Sequence, residues 1–246
     1  MVRLLQKGAL VASALLAGSC AVLVPHTLMT PTVRAKGETE IDLSGGLHGT
    51  SLQAAYAPGR STILLASAHR WVRDRRWSYG GEAGAGYQWI RPNGGSWSVY
   101  GGGGYGAGYS YNNFCPDLCS NTPTAERARY AYVFVQPTYT LVRNEYTNLG
   151  LAIRLQPLRL NSWQYFGTRY STDSLGNSME EHYPINRAGQ WLVLLQPGLN
   201  MRRRLGRRLN LTSGISAFLP LRSRTSSTPS VLGLAASVGI QLVLGR

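Results

Sequence analysis

Charged residues are scarce in this 246-residue chain, and acidic residues are the scarcest, with 11 Asp and Glu against 25 Lys and Arg. Charged residues make up 15% of the sequence, whereas about 25% is usual in soluble domains. Past residue 35, no apolar run reaches the roughly 18 residues that a membrane-spanning helix needs. This argues against a helical membrane protein, and a hydrophobic content of 43% argues against a disordered chain.

The N-terminus has the features of an export signal. Arg3 and Lys7 precede an uncharged apolar run over residues 8–18, which has the length of a signal-peptide core. The run leads into the letters LLAGSC, which end at Cys20 and resemble a bacterial lipobox, whose cysteine becomes the acylated first residue. Ordinary signal cleavage after Ala35 is the alternative.

This export signal divides the chain into three parts. We expect residues 1–20 to be the signal peptide, residues 21–35 to be a tether outside the fold, and residues 36–246 to form the folded domain. His26 falls within the tether in this division. Because either cleavage site implies export, the folded domain is expected outside the cytoplasm.

Only two cysteines, Cys115 and Cys119, follow the export signal. Such a closely spaced pair in an exported protein predicts a local disulfide in an oxidising compartment. A metal site would need two further ligands, and the nearest histidines in sequence are His69 and His182. The sequence therefore predicts a disulfide and no metal.

From Lys36 onward, apolar residues recur with a period of two, which is typical of β-strands. Every second residue from Leu234 to Leu244 is apolar, for example, and Ser237 and Gln241 lie on the opposite face. No helical periodicity competes with this pattern. We expect strands near 37–46, 49–57, 61–71, 78–90, 96–110, 127–142, 147–160, 188–202, 207–221 and 230–245.

The connections between these segments alternate in length. Short turns at 58–60, 91–95, 143–146 and 203–207 alternate with longer or more polar links at 72–78, 112–126, 161–187 and 222–230. An up-and-down barrel places the two kinds at opposite ends, as outer-membrane barrels do.

The direction of the apolar face separates two kinds of barrel. In a periplasmic, lipocalin-like barrel the apolar face points inward, and in a membrane barrel it points to lipid. Aromatic residues near the segment ends favour the membrane, because they form girdles at its interfaces. The candidates for these girdles are Trp71, Trp77, Trp89, Trp97, Tyr109, Tyr139 and Trp191.

Taken together, residues 36–246 resemble the small outer-membrane β-barrel superfamily of Gram-negative bacteria. The stretches KGETEI from Lys36 and LQAAYAP from Leu52 are similar to a group of uncharacterised barrel lipoproteins. The chain ends in VLGR and so lacks the C-terminal aromatic residue of many such barrels. The resemblance implies an all-β fold, a single antiparallel up-and-down membrane β-barrel of about ten strands, located in the cell outer membrane.

Inward-pointing polar residues are the first candidates for a functional site. With about ten strands the interior is narrow, so we expect a network that includes an arginine paired with Glu82, and a narrow channel or binding site for small anionic or polar solutes is the alternative. The candidates are Glu82, Gln136, Arg154, Gln156, Gln196 and Asn200.

The longest link, residues 161–187, is the second candidate because its aromatic residues suit contact with a glycan or a protein. The candidates there are Tyr165, Phe166, Tyr170, His182 and Tyr183. Glu180, Glu181 and His182 also suggest acid–base chemistry, but no nucleophile motif accompanies them.

We therefore expect a non-catalytic barrel with a structural or surface-interaction role, and a lipid-modifying enzyme is the third hypothesis. The glycine-rich run at 101–108 lacks the following helix of a phosphate-binding loop, so no cofactor is expected. The net charge of +14 favours an anionic partner. Export excludes nucleic acid and leaves outer-membrane lipid, lipopolysaccharide or an unknown surface ligand.

Overall fold

The computed structural model describes residues 22–24, 26–46, 49–73, 75–92, 94–112, 124–144, 146–172, 178–223, 231 and 233–245. These residues form twelve β-strands. The strands are β1 (Thr39–Gly46), β2 (Gly49–Tyr56), β3 (Thr62–Arg73), β4 (Arg76–Ile90), β5 (Ser96–Asn112), β6 (Thr124–Asn144), β7 (Thr147–Thr172), β8 (Ser178–Arg187), β9 (Gln190–Arg204), β10 (Leu209–Ala217), β11 (Leu219–Ser223) and β12 (Leu234–Leu244). Across the described ranges, no helix is long and apolar enough to cross a membrane.

Ten of the strands form a closed antiparallel barrel, which confirms the predicted fold and strand number. Neighbouring strands follow one another in the chain from β1 to β7, β9 then pairs with β7, and β12 closes the ring against β1. Closure satisfies the backbone hydrogen bonds of every strand within the protein, which lipid requires. Nine of the ten expected segments match observed strands to within about four residues, and the exception is the segment 147–160, because β7 continues to Thr172.

The two ends of the barrel differ. At one end, the turn end, the chain turns tightly at 57–61, 91–95 and 205–208, and β1 begins. At the other, the loop end, β3 and β5 end and β4 and β6 begin; residues 113–123, 173–177 and 224–230, which include Cys115 and Cys119, are outside the described residues. The predicted short turns at 58–60, 91–95 and 203–207 lie at the turn end, but the predicted longer link at 72–78 is instead a tight turn, because β3 and β4 pair as far as Arg73 and Arg76.

Part of the expected loop at 161–187 is instead a β-hairpin. The last residue of β7 that pairs with β6 is Tyr165, opposite Glu126, and beyond it β7 pairs with β8 as far as Thr172. Seven further residues of β7 therefore continue for about 23 Å beyond its last pair with β6. The prediction of a loop was wrong because strands were identified by a period of two among apolar residues. The residues of this hairpin are mainly polar and lack that period.

The apolar face of the barrel points outward. On β12, Val238 and Ile240 are 59% and 53% exposed, whereas Gln241 is 1% exposed and points into the lumen. The same inversion places Leu43, at 61%, and Val133, at 60%, on the outer surface. A lipocalin-like barrel in water would show the opposite arrangement, so the exterior is that of a membrane barrel.

Aromatic residues flank this apolar surface at both ends. Trp97 packs on Tyr139 near the turn end with ring centroids 4.6 Å apart, and Trp77 packs on Tyr79 near the loop end at 5.3 Å. On β4, Trp77 and Trp89 lie about 40 Å apart along the strand, or about 30 Å across a membrane at the usual tilt. Trp71 is an exception to the predicted girdles: it points inward and packs against Val24.

Glycines on the inner face of β4 and β5 leave room for large rings. A Cβ at Gly104 would lie 2.5 Å from the Tyr132 ring, and one at Gly102 would lie 2.8 Å from the Phe134 ring. The glycine-rich segment is thus part of a strand whose missing side chains make space for aromatic residues of β6.

We predict that Gly104→Ala impairs assembly, because its methyl group would overlap Tyr132 and the backbone of Gly81. Overpacking of this kind costs about 1–3 kcal/mol. The fraction of unboiled protein that migrates as the compact form on a denaturing gel would measure the loss. Gly101→Ala is the control, since its Cβ would meet nothing closer than 3.7 Å; equal behaviour of the two variants would contradict the packing argument.

Candidate functional site

The lumen of the barrel contains the protein's own N-terminal segment. Residues 22–24 and 26–35, here called the strap, run from the turn end, beside β1, to the loop end, where Leu23 forms an isolated bridge with Val231. Val22, Leu28 and Thr30 are each no more than 1% exposed. The expectation that residues 21–35 form a tether outside the fold was therefore wrong for residues 22–24 and 26–33, which are buried inside the barrel.

Side chains of the barrel wall donate hydrogen bonds to the strap carbonyls. The strap is extended, and strand pairing supplies only the bridge at Leu23, so its backbone groups need other partners. Five successive carbonyls, from His26 to Thr30, accept bonds from amide or guanidinium groups. The bonds are Gln196 to His26 at 2.7 Å, Gln53 to Thr27 at 2.6 Å, Asn200 to Leu28, Gln136 to Met29 at 2.8 Å, and Arg202 to Thr30.

Two carboxylates hold the strap near the turn end. Glu40 accepts a hydrogen bond from the backbone N–H of Thr32 at 3.0 Å, and Glu38 accepts one from that of Arg34 at 2.6 Å. Gln88 also donates to the carbonyl of Val33 at 2.9 Å. The wall therefore supplies acceptors for strap N–H groups near the turn end as well as donors for strap carbonyls.

A buried ion pair spans the middle of the lumen. Arg154 binds Glu82 through both terminal nitrogens, at 2.6 and 2.9 Å, and it is the inward arginine expected beside Glu82. Tyr132 donates its hydroxyl to the same carboxylate at 2.9 Å, and Gln136 accepts from Arg154 Nε at 2.9 Å. The guanidinium also lies 4.1 Å from the centre of the Phe134 ring. Because each charge has several partners, the pair tolerates its low exposure.

His26 joins the strap to this ion pair. Its Nε2 lies 3.4 Å from Glu82 Oε1, and its ring stacks on that of His69 with centroids 4.7 Å apart. Sequence analysis placed His26 in the tether and did not connect it with Glu82. Nothing in the sequence links the two, because the contact exists only once the strap enters the barrel.

Little space remains inside the barrel. Two cavities that adjoin the strap, one near Asp42 and Asn200 and one near His69, each measure about 20 Å³. That volume holds about one water molecule. In addition, Leu158, Leu160, Leu192 and Leu194 form an apolar cluster with strap residues on the inner wall. The strap and this cluster therefore fill much of the described lumen.

The structure places the predicted interior residues on the inner wall. Gln136 and Gln196 contact the strap directly, Arg154 contacts Glu82, and Gln156 is buried with its carbonyl oxygen unpaired among the described atoms. Of the loop candidates, Tyr165 is half-buried and stacks on Trp163, whereas Phe166 and Tyr183 are about 40% exposed. The side chains of Tyr170 and His182, and Cys20 itself, lie outside the described residues.

A second polar feature lies on the outer surface near the loop end. Arg127, Arg129 and Arg159, here called the rim arginines, are exposed on neighbouring positions of β6 and β7. Arg127 borders a groove of about 400 Å³. Trp77, Tyr109, Ala125, Glu126, Gln164 and Phe166 line the rest of it. This feature was missed because single arginines at alternate strand positions form no charge run.

An apolar exterior between aromatic girdles, around a filled polar lumen, is the architecture of the outer-membrane β-barrels. The fold is similar to the translocator domain of autotransporter NalP from Neisseria meningitidis, with a TM-score of 0.40 and 10% identity over 84% of this chain and 85% of that one. It is also similar to a FadL homologue of Pseudomonas aeruginosa, with a TM-score of 0.24 and 8% identity over 84% and 88% of the two chains. No protein-family model and no curated protein matches the sequence.

A third similar structure is OmpT, an outer membrane protein of Vibrio cholerae, with a TM-score of 0.21 and 9% identity over 89% of this chain and 100% of that one. At such scores and identities, the likeness concerns barrel architecture alone.

We predict that Arg154→Met destabilises the barrel by about 3–5 kcal/mol, because it leaves the buried Glu82 carboxylate without its main counter-ion. The temperature at which the compact band disappears from an unboiled gel would measure this loss. The double variant Glu82→Gln/Arg154→Met should recover part of it, because the buried charge is then removed. Arg203→Met, at an exposed turn-end position, is the control; an equal effect there would contradict a specific role for the ion pair.

Proposed function

We propose that this protein is a non-catalytic outer-membrane barrel with a closed lumen, which acts at the cell surface through its loop end and its outer rim. The observation that carries the proposal is the strap. A segment whose carbonyls from His26 to Thr30 are bound by the wall occupies the space that a channel or solute site would need. What remains available for interaction is the exterior and the loop end.

The outer membrane is the location that these surfaces fit best. The barrel has no polar exterior that would suit the periplasm, and its span between girdles matches the apolar thickness of a bilayer. Outer-membrane barrels keep short turns inside and longer loops outside. On this basis the turn end faces the periplasm and the loop end faces the cell exterior.

The partner we propose at the rim is lipopolysaccharide. Guanidinium groups bind phosphate through paired hydrogen bonds. Arg127 borders an aromatic-lined groove near the outer girdle, and Arg129 and Arg159 are exposed further along the same outer face. Phosphorylated lipid of the outer leaflet would place its headgroups at this height. Its acyl chains would lie along the apolar surface below.

The β7–β8 hairpin is the proposed site of surface interaction. It extends past β6 and presents Phe166 and Tyr183, which are exposed aromatic residues of the kind that interfaces favour. The ordered strand pairing from Phe166 to Thr172 holds these residues in place. A partner would therefore meet a preorganised surface, which lowers the entropy cost of binding.

The proposal of a non-catalytic role rests on where the described imidazoles lie. His26 and His69 stack on each other in the closed lumen, where a substrate has no room. The lipid-modifying hypothesis depends on His182, whose side chain is outside the described residues. A lipid A mass spectrum that changes on expression of the protein, and reverts with His182→Ala, would favour the enzyme.

We predict that the triple variant Arg127→Gln/Arg129→Gln/Arg159→Gln binds purified lipopolysaccharide about 100-fold more weakly, at about 1 kcal/mol per arginine. The measurement is the rise in unfolding temperature of the detergent-solubilised protein on titration with lipopolysaccharide.

The matched control for this titration is Arg203→Gln/Arg207→Gln/Arg208→Gln, which removes the same charge at the turn end, where all three residues are exposed. Equal weakening in both variants would indicate non-specific charge attraction and would reject the rim site.

We also predict that the purified full-length protein produces no stable conductance steps in a planar bilayer. The strap and the Glu82–Arg154 pair occupy the lumen, and the adjoining cavities hold about one water molecule each. Recordings would be compared with an open porin at equal protein concentration. Reproducible steps that scale with salt would support the channel hypothesis instead.

A further inference from the structure

We infer that the strap remains in the mature protein, and that the mature N-terminus leaves the barrel at the loop end, on the cell surface. The assignment of the loop end to the surface rests on the proposed function. The retention of the strap does not, because it follows from contacts inside the lumen.

The two candidate processing sites have opposite consequences for the lumen. Cleavage after Ala35 would remove the strap, whereas cleavage before Cys20 would keep it. Without the strap, the amides of Gln53, Gln136 and Gln196 would lose the carbonyls that they now bind at 2.6–2.8 Å. Each buried polar group left without its partner costs about 1–3 kcal/mol. The inner wall therefore fits a mature protein that retains the strap.

Apolar contacts lead to the same conclusion. Val22, Leu23, Leu28 and Val33 are each no more than 1% exposed and fill the space between the inner walls. Gly108 and Gly150 lie where any Cβ would overlap the strap, at Val22 and at Thr30 respectively. Glycine is required at these two positions only when the strap is in place.

The direction of the strap determines where the N-terminus lies. At the turn end, Arg34 donates to the carbonyl of Gly94 in the β4–β5 turn. At the loop end, Leu23 bridges to Val231 and Val24 packs on Trp71. A chain that begins before Val22 therefore starts beyond the loop end. Export of a barrel with this strap leaves its N-terminus outside the cell, opposite to the end at which β1 begins.

Retention can be tested by a disulfide between the strap and the wall. An ideal Cβ at Gly198 lies 3.4 Å from the Cβ of Leu28, close to the separation of about 3.5–4.5 Å found in disulfides. We expect Leu28→Cys/Gly198→Cys, in a Cys115→Ser/Cys119→Ser background, to form this bond in protein purified from outer membranes. A peptide containing residue 28 should then be linked to one containing residue 198 until reduction.

The matched control pairs Leu28→Cys with Ile153→Cys, whose side chain faces outward and is 53% exposed. It should form no bond, and a bond there as often as with residue 198 would overturn the placement of the strap. The mass of the unaltered protein is a second test that needs no variant. A mature chain that starts at Lys36 would overturn the inference.

The side of the N-terminus can be tested with two epitope tags in otherwise unaltered proteins, one between residues 21 and 22 and one between Gly206 and Arg207 in a turn. We expect antibody to reach the first tag on intact cells and the second only after permeabilisation. Detection of both tags on the same side of the membrane would overturn the proposed path of the strap through the barrel. The reverse pattern would reject the proposed orientation, and the disulfide would still report whether the strap is retained.

Discussion

The backbone of the strap crosses the barrel with almost no strand beside it, and the lumen is organised around this constraint. Each carbonyl from His26 to Thr30 needs a donor, and the donors come from β2, β6 and β9, on different sides of the wall. Each buried donor in turn needs an acceptor. Strap and wall therefore supply hydrogen-bond partners to each other.

The glycines and the ion pair extend the same organisation. Large rings of β6 reach across β5 because Gly102 and Gly104 leave room for them, and these rings surround the Glu82–Arg154 pair. Charge at the centre is thus enclosed by aromatic faces and amides, with the strap's His26 as a further neighbour. This arrangement explains how a barrel of only ten strands accommodates an ion pair and an additional chain.

Much of the fold could be predicted from the sequence, because alternation between apolar and small polar residues is strong in strands with one face toward lipid. The polar residues of the lumen could be predicted for the same reason, because position along a strand determines which face a side chain occupies. These residues are Glu82, Gln136, Arg154, Gln156, Gln196 and Asn200.

The strap could not be predicted from periodicity. It has no periodic pattern, and an apolar stretch after an export signal looks like a linker. The hairpin was missed because its residues are mainly polar and so show no apolar alternation. The rim arginines were missed because strand pairing, which places Arg159 opposite Ala131 and so two positions from Arg129, is not visible in a single sequence.

The closure of the ring has a consequence for the order of biogenesis. The barrel is sealed by pairing between β1 and β12, the first and last strands of the chain. A strap that joins directly to β1 could enter a finished barrel only by threading its free end through a narrow interior, and folded chains rarely thread. The wall must therefore assemble around the strap, and the pairing between β1 and β12 must form last. On this view the N-terminal segment acts as an internal template from the first stage of folding, and the strands of the barrel close around it.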